Sequence, residues 1–142
     1  MENVKSEGLS SETRAANELA AILKYLELTN EMEHYLFLYR QLSDEVLDGM
    51  RVSRELRAVC EAQGISVLPE RAEMLAGYGS YSHMQRKWKR FLRKCKVKKG
   101  EPFPEWREVM GVVSNFAAPL WRSLCDDTPF VGEWMPELGR FL

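Results

Sequence analysis

Seven cationic residues, Arg86, Lys87, Lys89, Arg90, Arg93, Lys94 and Lys96, are the part of this sequence whose types and spacing point to a chemistry. With Lys98 and Lys99 they put nine positive charges into residues 86–99, and no Asp or Glu interrupts them. At about 100° per residue, Met84, Trp88, Phe91, Leu92 and Cys95 share one helical sector, and the seven cations occupy the remaining arc. The pattern predicts a helix from Ser82 to about Val97, apolar on one side and basic on the other. Like charges at i,i+4 (Arg86 with Arg90, Lys89 with Arg93, Arg90 with Lys94) each cost such a helix about 0.2–0.5 kcal/mol.

A partner that offsets this cost is a phosphate backbone, an acidic protein surface or an anionic membrane face. A nucleic acid is the leading expectation, bound non-specifically or with weak specificity. The basic arc carries no Asn or Gln to read base edges. Trp88 and Phe91 lie opposite the charge, where they anchor the helix in the core and do not stack on bases. The competing account is a solvated basic face without a ligand. Arg93-Lys94-Cys95-Lys96 also fits a short nuclear-import signal, if the source is eukaryotic.

Other chemistry is weakly represented. Glu31-x-x-His34 has the spacing of half a di-iron carboxylate site, but the second half is missing. Cys60, Cys95 and Cys125, with His34 and His83, never approach zinc-ligand spacing. Asp126-Asp127 precedes Thr-Pro and reads as a turn, and Gly77-x-Gly79 lacks a third glycine. No Ser or Cys sits in a nucleophile elbow. The expectation is a protein that is not an enzyme and needs no metal or cofactor.

The elements that must position the basic helix follow from composition and periodicity. The chain has 142 residues, 45% hydrophobic and 29% charged, ordinary values for one folded unit. Three widely spaced cysteines among apolar residues read as buried free thiols in a reducing compartment. No apolar run is long enough to span a bilayer, and residues 1–10 carry no apolar signal core. An intracellular location follows as an expectation, cytoplasmic or, in a eukaryote, nuclear. The net charge of −1 conceals a split, since residues 1–70 sum to −6 and residues 71–142 to +5.

Along the chain, Ser10 or Ser11 starts a helix with a stripe at Ala16, Leu19, Ala20, Leu23 and Leu26. Asn30 and Glu33 have the form of a capping box, as do Ser82 and Gln85. A seam from Tyr35 to Cys60 divides into two packed helices, with Ser43 as a cap and Gly49 at the bend, ending at Gly64. Pro69 opens a short helix, and residues 77–81 read as an exposed, flexible loop. Pro104 suits the first turn of the central core helix, which extends to Leu124 with a kink or restart at Pro119. The apolar tail beyond Asp126 packs as a lid or supplies a partner surface.

The result is an all-α, single-domain helical bundle of about five to seven helices, residues 9–142, behind a flexible tail at residues 1–8. The functional expectation is a helical binding protein. An adaptor or homo-oligomeric interaction module, using its charged faces or its apolar tail, is the rival. A small helical enzyme with a buried polar cluster is a third reading.

Overall fold

A computed structural model of the chain describes residues 9–95 and 103–142. The expected tail at residues 1–8 lies outside them. Among the described residues, most lie in six helices: α1 (Ser11–Tyr25), α2 (Glu33–Asp44), α3 (Gly49–Gln63), α4 (Pro69–Gly77), α5 (Ser82–Lys94) and α6 (Trp106–Cys125). The all-α bundle expected from periodicity is therefore observed, with one addition. Three strands, β1 (Leu47–Asp48), β2 (Glu133–Met135) and β3 (Arg140–Phe141), form a small antiparallel sheet in the order β1-β2-β3. Leu47 pairs with Trp134, and Trp134 with Phe141.

The longest apolar helix organises the interior. α6 buries Val109, Val113, Phe116, Ala117, Leu120 and Trp121, and it packs against α2, α3 and α4. It runs unbroken through Pro119, where a kink or restart was expected. Buried residues on both sides of the proline, Phe116 and Leu120 among them, hold the helix together across its missing N–H. α1 lies against α2 and α3. Among the described residues the buried side chains form one core.

Several starts differ from the local signals. Ser10 caps α1 as expected, accepting from the Thr13 N–H at 3.1 Å. Neither capping box forms, because Met32 and Tyr81 stand at the N-caps of α2 and α5 without a side-chain bond. The Thr29 hydroxyl accepts from the Glu31 N–H instead, and Gln85 donates to the Gly79 carbonyl. Ser43 donates back to the Tyr39 carbonyl and caps nothing, while Asp48 caps α3. Pro104 stands two residues before α6. Gly49 has a packing reason: a Cβ there would fall 2.4 Å from the Phe130 ring and 2.6 Å from the Gly132 carbonyl. Gly64 ends α3 with φ 66°.

All four tryptophans bond a main-chain carbonyl of another element. Trp134 donates to Leu42, Trp121 to Leu68, Trp106 to Tyr78 and Trp88 to Pro104. The Trp106 contact corrects in part the expectation for residues 77–81. The segment holds a 3-10 turn at Tyr78–Ser80 with Tyr78 buried and its carbonyl engaged, while Gly77, Ser80 and Tyr81 are exposed as expected. The tail is likewise structured: Trp134 is fully buried, stacked edge-on to Phe116 and Phe141. Val131, Leu138 and Leu142 remain exposed.

Candidate nucleic-acid interface

The basic helix forms where its amphipathic pattern predicts. α5 covers Ser82–Lys94 with Cys95 at its C-cap, and Lys96 and the expected last turn lie outside the described residues. Met84 and Trp88 are buried, and Phe91 and Leu92 are half-buried against the core. Trp88 sits between Phe91 and Trp106, each ring 5.5 Å away. α5 touches the body mainly through these side chains and the 3-10 turn before it.

Arg86, Lys89, Arg90, Arg93 and Lys94 are exposed. No Asp or Glu forms an ion pair with any of them among the described residues. Among the described residues the acidic N-terminal half therefore supplies this face with no ion pair, although the opposite signs of the two halves allow it. Five fixed charges stand together in water on a helix whose other side is held.

Lys87 departs from the expected set. Its ammonium turns into the protein and donates to the carbonyls of Glu27, at 2.5 Å, and Thr29, at 3.0 Å. These carbonyls belong to the turn after α1, where Leu26 adopts φ 51°. Arg71 satisfies the preceding carbonyls of Leu23 and Lys24. Two cations thus close the negative end of α1. The physical reason is position, since Lys87 flanks Trp88 at the border between the arcs and is half-buried there, within reach of the turn. The Tyr78 hydroxyl donates to the Glu27 carboxylate, which with the nearby Lys87 charge holds that carboxyl below its usual range.

Two grooves flank α5. One, of about 350 Å³, lies against the Thr29–Glu33 turn and is lined by Arg90, Phe91, Lys94, Asn30 and Glu33. The other, of about 470 Å³, has Lys89, Leu92, Phe103 and Arg107 in its walls. Arg40 stands 5.5 Å from the Phe103 ring. Arg107, Arg40 and the Thr29–Glu33 turn were not singled out by sequence, because single residues outside a charge run give no signal there. Phe91 is a partial correction: it packs on the core and also faces a groove.

The remaining candidates resolve as structural features. His34 bridges Glu18 (2.5 Å from Nδ1) and Glu31 (2.9 Å from Nε2). Burial disfavours its charged form, but the hydrogen bonds to Glu18 and Glu31 outweigh this and raise its pKa. Glu31 and His34 thus form a surface clamp between α1 and α2, completed by an acid that the i,i+3 spacing did not reveal. Asp127 pairs with Arg57 at 3.2 Å. The cysteines are free, with Cys60 buried, Cys125 half-buried and Cys95 exposed, which corrects the expected burial of all three. Cys95 is the C-cap of α5, past the last turn that its apolar sector would cover. Among the described residues, no three His, Cys, Asp or Glu side chains cluster closely enough to hold a metal ion, and no helix is long and apolar enough to cross a membrane. No family model, curated protein or solved structure matches this chain.

Proposed function

We propose that this protein is a non-enzymatic, intracellular nucleic-acid-binding module that grips the phosphate backbone through α5. Arg86, Lys89, Arg90, Arg93 and Lys94 make the contacts, and Lys96 extends the same arc in sequence. The observation that supports the reading is that, among the described residues, no carboxylate forms an ion pair with any of the five exposed cations that share this face. Lys87 lines the groove beside α5, but its ammonium is committed to the Glu27 and Thr29 carbonyls, so it is not among the phosphate contacts. The α5 contacts read charge and geometry, so their own contribution to affinity depends only weakly on base sequence.

A salt titration with short DNA and RNA oligonucleotides tests the proposal. Each phosphate neutralised releases condensed counterions, so engagement of all five cations gives log K against log salt a slope of about −3 to −5. Reversal of Arg90 and Arg93 to Glu removes about two units of that slope and most of the affinity. A shallow slope, or unchanged binding by the double reversal, overturns the reading.

The exposed Val131, Leu138 and Leu142 favour a second reading, an adaptor or self-associating module built on the tail. Light scattering on the full chain and on a variant with these three residues changed to Ser separates the two. A monomer in both cases argues against self-association through the tail.

A further inference from the structure

We infer that the groove between α5 and the Thr29–Glu33 turn is a subsite for one unpaired nucleotide, with Glu33 accepting a hydrogen bond from the exocyclic amino group of its base. The inference rests on the proposed function, since the same strand supplies phosphates to α5. Four observations meet at this groove. Arg90 and Lys94 line the groove from α5, and Glu33 lines it from the start of α2. Base and acid share the groove without forming an ion pair. Oε1 of Glu33 is shut off from water and has no donor among the described residues. Phe91 is half-buried and contributes apolar surface to the same groove.

A polyanion alone explains only half of this. A backbone phosphate suits Arg90 and Lys94 but is repelled by Glu33, and a carboxylate oxygen without a donor is costly to keep. A ligand that carries an anion, a flat apolar body and a hydrogen-bond donor satisfies all of the lining. One nucleotide has those three parts in that order. The terminal carboxylate torsion is soft, so a donor in the groove needs only to turn Glu33 towards itself. The volume of about 350 Å³ lies at the small end of ligand pockets, which fits one nucleotide better than several. The base must be unpaired, because a base pair is too large to enter a groove of this size. Cytosine and adenine offer the amino group, and thymine does not.

The experiment compares oligo-dC, oligo-dA and oligo-dT of equal length at fixed salt, with circular dichroism to confirm folding. The wild-type chain binds oligo-dC or oligo-dA about tenfold more tightly than oligo-dT, the worth of one charged hydrogen bond. Glu33→Ala abolishes this preference while leaving oligo-dT binding equal or tighter. Glu33→Gln keeps the side chain's shape and can also donate, so it levels the preference by raising oligo-dT affinity. Absence of a preference in the wild type, or a preference that survives both substitutions, overturns the subsite. If all three strands bind with a steep salt slope that Arg90→Glu/Arg93→Glu removes, the backbone reading stands while the subsite falls. If none binds with such a slope, both fall.

Discussion

The N-terminal three helices and α5 treat surface charge in opposite ways. Around α1, α2 and α3, acids and cations are interspersed and several meet, Arg14 with Glu45, Arg51 with Glu12, and His34 with both Glu18 and Glu31, while Lys24, Arg40 and Arg54 form no ion pair among the described residues. On α5, five cations share one face and meet none among the described residues. Exposed pairs of the first kind contribute little to stability, a median near 0–1 kcal/mol, so their absence on α5 costs the fold little. What α5 carries is repulsion along its own length. It tolerates this because its attachment is apolar and main-chain, through Trp88, Met84 and Lys87. The difference teaches that the unpaired face is held by groups that do not share its job.

The largest expected effect comes from cutting that attachment. Trp88→Ala removes a side chain that is 2% exposed, together with its bond to the Pro104 carbonyl. Large-to-small changes of this kind cost about 3–5 kcal/mol. Denaturant unfolding will show the loss, and hydrogen exchange will place it first in α5. Should α5 remain as protected as its neighbours, the claim that side-chain anchoring carries this helix is wrong.

Lys87 sharpens the comparison within α5 itself. Lys87→Ala leaves two part-buried carbonyls, of Glu27 and Thr29, without their donor. The expected cost is about 1–3 kcal/mol, read from the urea midpoint, with an unchanged salt slope for nucleic-acid binding. The same change at Arg90 does the reverse, sparing stability and lowering the slope.

How much of this was legible in the sequence depends on length of pattern. α1, α5 and α6 hold helical period over several turns, and their apolar stripes name the buried residues. The strands escaped because two or three residues cannot show alternation, and Trp134, not a repeat, fixes their place. Tyr78 looked exposed among glycines, yet the turn is pinned by Trp106 from 28 residues away. The same limit applies to the site. The wheel separated the cations from the apolar sector, but it could not show that Lys87 bends inward or that Glu33 shares a groove with Arg90. Both facts depend on where the turn after α1 docks.

The N-terminal region offers a smaller, pH-dependent contrast. His34 has a raised pKa, so its pairing with Glu18 and Glu31 favours folding fully below the ordinary imidazole pKa of about 6.5. That contribution disappears as pH rises through the raised folded-state value. Its size is a few tenths of a kcal/mol, that of a partly exposed ion pair. Thermal melts of the wild type and His34→Gln at pH 5.5 and pH 8.5 check it: the wild-type advantage is present at the lower pH and gone at the higher. An advantage that grows with pH would reverse the sign and sink the assignment.

Neutral substitution on the basic face has an effect of similarly small size. Arg90 has like-charged neighbours four residues away on both sides, Arg86 and Lys94. Removing it relieves two repulsions of about 0.2–0.5 kcal/mol each. Arg90→Ala is therefore expected to raise stability slightly, whereas Arg51→Ala, which loses a 3.9 Å contact with Glu12, leaves it unchanged or slightly lower. Added salt acts in the same direction as Arg90→Ala, since screening relieves exposed like charges. Wild-type and Arg90→Ala melting temperatures thus converge between low and high salt, while wild-type affinity for a polyanion falls over the same range. Convergence of the melts together with that loss of affinity is the signature of a face kept unpaired at a cost to the helix; parallel melts at every salt concentration would mean that the repulsion is not there.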